Sequence, residues 1–261
     1  MKKISVACLL FLAFMATGLN LFAQTAQERI TQGDDYYAKF DDAKALEEYL
    51  AALQLEPQNF EALWRASRSL VDVADVMDTA DKASKGKQMK MYIDAERYAR
   101  QAVAINPNDS QSYFLISAAI GKKVLTQGKK EQINASKEVK KVIDKAIELD
   151  PNNDLAYHAL GRWHRRLAEI GGAQRFFGGI IYGSIPKGTY EESEKALKKA
   201  VEIKPDYGNH HLELGRTYLS LKKKDLAAEE FQKCIDSPIS TSQCEMYKKE
   251  AEDELAKLKK K

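Results

Sequence analysis

The chain is poor in the residues on which most enzyme sites depend. Its 261 residues include three cysteines and four histidines. Cys8 falls in the first apolar run, leaving Cys234 and Cys244, too few for a closed zinc site. His158, His164, His210 and His211 lack the i, i+4 spacing with an acid between that marks a helical zinc pair. The glycine pairs after residue 170 are not followed by the lysine and hydroxyl of a phosphate-cradling loop, and no serine sits in a nucleophile elbow. Charge of one sign is also missing: 41 basic residues face 38 acidic ones. Such a balance argues against non-specific nucleic-acid binding. Beyond residue 22 no run is apolar enough to cross a bilayer. The expectation is no catalysis, no metal and no cofactor.

The N-terminus has a different composition. Lys2 and Lys3 precede an apolar run from Ile4 to about Phe22, followed by Ala23 and Gln24. That is the layout of a secretory signal peptide over residues 1–23, cut between Ala23 and Gln24. An uncleaved membrane anchor is the rival reading. Cys8 lies too early to accept a lipid. The expected location is the periplasm of a Gram-negative cell. Export would permit a disulfide between Cys234 and Cys244, with a buried thiol and a free one as the alternative.

What remains is a repeat. Ala52-Leu-Gln-Leu-Glu-Pro57 returns as Ala102-Val-Ala-Ile-Asn-Pro107, Ala146-Ile-Glu-Leu-Asp-Pro151 and Ala200-Val-Glu-Ile-Lys-Pro205. Ten residues after each proline stand Ser67, Ser117, Gly161 and Gly215, all small. Large residues flank them at helical spacing, so a second helix can approach closely. Each proline ends the helix before it, since it lacks an amide donor and restricts its predecessor.

The first and last copies resemble the tetratricopeptide repeat, through Gly33, Tyr36, Ala45, Tyr49, Ala52 and Pro57, and through Leu214, Gly215, Tyr218, Ala227, Phe231 and Cys234. The resemblance implies an all-α, right-handed solenoid of about five helix pairs, over residues 24–57, 58–107, 108–151, 152–205 and 206–239. A capping helix over 241–258 would hide the terminal apolar surface. The prolines lie 50, 44 and 54 residues apart, against about 34 in the standard repeat. The surplus falls between the helices of each pair. Around 78–90 and 122–137 it is polar and lysine-rich, as longer helices or solvated tips would be.

The fourth copy is different. Residues 163–192 read WHRRLAEIGGAQRFFGGIIYGSIPKGTYEE, apolar and glycine-rich before a capping box at Thr189 and Glu192. This insert either fills a gap between repeats or lines an apolar cavity. With AYHALGRW before it and LELGRTYLSLKKKDLAAEEFQKC after it, the region 145–255 resembles the regulator of microtubule dynamics protein family. Trp163, Arg175, Gly183, Pro186, Thr189, Tyr190 and Glu191 carry the match. The resemblance implies links to microtubules and organelle membranes, and in one branch phospholipid binding and transfer. An exported chain meets no tubulin, so only interaction or lipid binding carries over.

In such a solenoid the first helix of each pair faces inward. Seven residues after each proline come Trp64, Phe114, His158 and Leu212; eleven after come Arg68, Ala118, Arg162 and Arg216. Tyr37, Lys122, Arg165 and Arg166 belong to the same side. A solvated basic face is one reading. The other is a groove whose guanidinium forks take carboxylates or phosphates beside aromatic walls. It would hold a protein or peptide partner, or alternatively an anionic phospholipid together with insert 171–188.

Overall fold

The computed structural model describes residues 24–259 except 172–174, 176–177 and 182–183. The proposed leader and Gly183 therefore lie outside the described residues. Eleven α-helices are described: α1 (Ala26–Tyr37), α2 (Asp42–Leu55), α3 (Phe60–Val76), α4 (Lys82–Ile105), α5 (Ser110–Lys123), α6 (Lys129–Leu149), α7 (Asp154–Ala168), α8 (Tyr190–Ile203), α9 (Gly208–Ser220), α10 (Lys224–Asp236) and α11 (Cys244–Lys259). They form five antiparallel pairs, α1–α2 through α9–α10, with α11 packed on α9 and α10. This is the helical solenoid that the repeat implies. The surplus residues of the second and third copies lengthen α4 to 24 residues and α6 to 21.

The turn chemistry explains the phrase. The residue before each proline, Glu56, Asn106, Asp150 or Lys204, still donates its amide to the alanine four positions back, at 2.8–3.0 Å. Proline then stops the ladder. Two residues later Asn59, Asp109 and Asn153 cap the next helix by accepting from the amides of Ala62, Ser112 and Ala156.

Small residues set the helix spacing within a pair. A Cβ added at Gly33 would lie 2.5 Å from the Tyr49 ring, at Gly161 2.4 Å from Leu197, and at Gly215 2.6 Å from the Phe231 ring. Tyr49, Leu197 and Phe231 are fully buried and form the spine of the core with the repeated alanines. Burying such side chains stabilises the fold by roughly 1.5–3 kcal/mol each.

The spiral returns on itself. The connection between α10 and α11 reaches the first repeats, where Ser242 bonds to Asp42 and Gln243 to Asp72.

Candidate functional site

The inner face carries the predicted residues, but few of them as free groups. At the N-terminal end the Arg68 guanidinium lies 3.4 Å from the Tyr37 ring centroid and 5.0 Å from that of Trp64. Arg65 covers Trp64 as well, at 4.3 Å. Arg68 is thus held by rings, a cation–π sandwich that is stronger when partly dry. Tyr37 donates to Asp72 Oδ2 at 3.4 Å, and burial, followed by repulsion from Asp72, pushes its phenol up. Asp72 itself is pushed up to about 7, first by burial and then by the neighbouring charge of Asp42. Lys122 is committed to Asp75 at 2.5 Å, and Tyr92 donates to the other oxygen of Asp75 at 2.7 Å. Phe114 is half-buried against the core of the third repeat.

The C-terminal half departs further from expectation. Leu212 is completely buried and His158 only 6 % exposed, so neither offers an open wall. Leu212 belongs to the core that α11 helps to cover, and His158 is covered by α9. His158 Nδ1 sits 3.0 Å from His210 Nδ1, while His210 Nε2 sits 2.9 Å from Asp154. A carboxylate only accepts, so His210 donates to Asp154 and accepts from His158. Both rings are then neutral, and burial holds both below the usual histidine range.

Three predicted arginines meet one carboxylate. Glu213 on α9 has a side chain 4 % exposed, and Arg165, Arg216 (3.0 Å) and Arg162 (3.8 Å) surround it. Arg216 also pairs with Glu250 of α11 at 2.7 Å. Burial would raise the Glu213 carboxyl, but the guanidiniums hold it far below the usual range. The expected cationic wall is therefore neutralised in part from within. Arg166 differs: it is exposed, and no carboxylate is within ion-pair distance of it among the described residues.

The motif residues of the insert act on the fold. Trp163 donates from Nε1 to the Ser136 carbonyl at 2.8 Å. Arg175 donates to the carbonyls of Leu167 and Pro186, each at 2.5 Å, and so ties the end of α7 to the chain leading into α8. Thr189 caps α8 by accepting from the Glu192 amide at 3.1 Å. Tyr190 and Glu191 form the first turn of α8. Pro186 and its neighbours run close over α7, where a Cβ on Gly188 would stand 2.3 Å from the His164 carbonyl. Ile180 and Ile181 remain 70 % and 68 % exposed.

The possible disulfide is not formed. Cys234 and Cys244 are both buried free thiols. Cys234 faces the Tyr247 carbonyl at 3.6 Å, and burial pushes its thiol up to about 12. Cys244 accepts from the amides of Ser240 and Thr241, each at 3.3 Å, contacts that lower its thiol against the opposing effect of burial.

Sequence reasoning missed Asp42, Asp72, Glu213, Ser242 and Gln243. Glu213 could have been sought as the acid one helical turn before Arg216. No local signal links Ser242 to Asp42, 200 residues apart. Among the described residues no group of three metal-ligating side chains exists, and no helix is long and apolar enough to cross a membrane.

Comparison with known proteins places this architecture. A family model described as "Regulator of microtubule dynamics protein 1-3" matches residues 29–259, well beyond the 145–255 of the motif match. Regulator of microtubule dynamics protein 1 of Bos taurus is 28 % identical over 225 residues, covering 86 % of this chain and 69 % of that protein. The protein of the same name in Mus musculus is 29 % identical over 232 residues, covering 88 % and 74 %. That of Caenorhabditis elegans is 25 % identical over 230 residues, covering 88 % and 99 %. Among solved structures, a thermophilic TPR protein of Thermus thermophilus matches with a TM-score of 0.63 at 18 % identity, over 87 % of this chain and 98 % of that one. At that identity the likeness is one of fold.

Proposed function

Because this chain belongs to the regulator of microtubule dynamics protein family, we propose that it is a non-catalytic scaffold that holds a protein or peptide partner on the inner face of its solenoid. The observation that carries this reading is the row of inward side chains that pairs rings with guanidiniums. Tyr37, Arg68 and Trp64 form one stack, and Arg162 and Arg166 stand on one turn of α7 further along. Arg166 in particular is an uncommitted fork that suits a carboxylate. Stacked helix pairs make such a face without any need for chemistry. Lys2, Lys3 and the apolar run behind them support export to the periplasm.

The test uses a photo-crosslinking residue at Arg166 and a control at Lys90, followed by recovery from the envelope fraction. One dominant product from position 166 and none from position 90 supports the reading. Equal products from both positions sink it. Replacing Arg166 by Glu in the unlabelled protein should weaken capture of that product at least tenfold while the helix content holds.

A second reading rests on the insert. Ile180 and Ile181, largely exposed and adjacent in sequence, offer an apolar contact, and the exposed Arg166 offers a cation. That combination supports an anionic phospholipid as ligand. Native mass spectrometry of the purified protein separates the two, since only the second requires co-purified lipid.

A further inference from the structure

The inner face already has an occupant. Residues 237–243 join α10 to α11 without helix. Connections ordinarily run over the surface, yet this one ends against the first two repeats. The Ser242 hydroxyl donates to Asp42, and Gln243 Nε2 donates to Asp72 Oδ1 at 3.0 Å. Gln243 and Asp42 are both buried. The second Asp72 oxygen accepts from Tyr37, whose ring carries Arg68. Four side chains from α1, α2 and α3 thus build one recess with two carboxylates.

That recess demands donors. A buried acceptor left unpaired costs about 1–3 kcal/mol, and two carboxylates so close also repel. The connection supplies a hydroxyl and a carboxamide, one for each. Among the described residues α11 packs chiefly on α9 and α10, and Ser242 and Gln243 join the two ends through their side chains. Tyr207, at the start of α9, and Tyr247 of α11 stack edge to face at 6.4 Å behind the contact. Arg68 Nε is buried there without a hydrogen-bond partner, and only a handful of polar groups makes the contact, so a competitor with the same donors can replace it.

We infer that this recess is a peptide-binding site for an extended segment presenting a hydroxyl followed by a carboxamide, and that Ser242 and Gln243 occupy it in cis until such a segment displaces them. The inference rests on the scaffold reading and names its site and ligand class. A tethered segment acts at an effective concentration of the order of millimolar. A partner therefore wins by touching a second place as well, and Arg166 lies on the same inner face.

The probe is a labelled peptide of residues 237–243, Ser-Pro-Ile-Ser-Thr-Ser-Gln, followed by fluorescence anisotropy. The double variant Ser242→Ala, Gln243→Ala should bind it at least tenfold more tightly than the unaltered chain. A peptide with alanine at its last two positions should bind neither, and adding Asp72→Ala to the variant should abolish binding. Equal affinity for both proteins, or no binding by a variant whose circular dichroism remains fully helical, overturns the inference. The crosslinker at Arg166 separates the two levels. If it still captures its partner while the peptide fails, only the cis occupant falls; if both fail, the scaffold reading falls too.

Discussion

Replacing Glu213 by Gln tests whether the inner arginines serve the fold before they serve a ligand. Gln keeps the volume and one acceptor oxygen but removes the charge that Arg162, Arg165 and Arg216 surround. Breaking a buried ion pair by deleting one partner costs about 3–5 kcal/mol. Arg162 and Arg216 are 29 % and 28 % exposed and can recover water, so the expected loss is at the low end, about 3 kcal/mol. At a urea slope of about 1–3 kcal/mol/M, the midpoint should fall by at least about 1 M. The pH sign follows from the direction of the shift. A carboxyl held below its unfolded value, about 4.3, contributes stability that is complete above that value and lost as pH falls towards the folded one. The gap between the two proteins should therefore be full at pH 7 and narrower at pH 3. Urea unfolding followed on Trp163, in a Trp64→Phe background, reads it where it arises, since each repeat feels mainly its neighbours. An unchanged midpoint, or an equal loss at both pH values, refutes the argument.

Three further outcomes are expected. Asp72 is raised to about 7, first by burial and then by Asp42, and it also faces Tyr37, Arg68, Asp75, Tyr207, Gln243 and Tyr247. A raised carboxyl means that the native state holds its proton more tightly, so stability declines as pH climbs from about 3.9 to about 7. Asp72→Asn should match the unaltered chain near pH 4 and exceed it at pH 8; parallel stability curves would contradict this. Gly161→Ala should destabilise, because overpacking against Leu197 costs about 1–3 kcal/mol, more than the helix gain of about 1 kcal/mol. Gly121→Ala, whose Cβ meets nothing within 4 Å, should instead raise the melting temperature. Arg175→Lys should speed limited proteolysis within 171–188 without loss of helix, since lysine lacks the planar fork that sets one nitrogen on the Pro186 carbonyl and another on that of Leu167.

The architecture was legible because its determinants are local. Alanine at the helix end, proline at the turn and Asn or Asp at the next cap are read within eight residues, and each copy repeats the lesson. The small residues facing Tyr49, Leu197 and Phe231 follow from the same ruler. The site was legible only to the level of a helix face. Spacing placed Arg162 and Arg216 inward, but whether a guanidinium is free depends on the acids around it: Glu213 reaches Arg162 from the next repeat, while Arg216 meets Glu213 on its own helix and Glu250 on α11. Spacing alone predicts one inward row of Trp64, Phe114, His158 and Leu212. It is half-buried in the first two copies and buried in the last two, because α9 and α11 cover it.

The departures from the repeat carry more information than the repeat itself. Asn59, Asp109 and Asn153 cap their helices, whereas the fourth copy puts Tyr207 at that position and loses the side-chain cap. A lost cap costs about 1 kcal/mol, so something must offset it. Tyr207 stacks on His210 at 4.7 Å and faces Tyr247, placing its buried phenol beside the recess that Asp72 and Tyr37 build. The residue that breaks the pattern is thus the one that brings the last repeat to the first. Restoring the rule with Tyr207→Asn should recover the helix cap yet weaken closure. The variant should then take up the 237–243 peptide without any change at Ser242 or Gln243. Tight closure in that variant, with no peptide bound, would show that the cap position and the closure are unrelated.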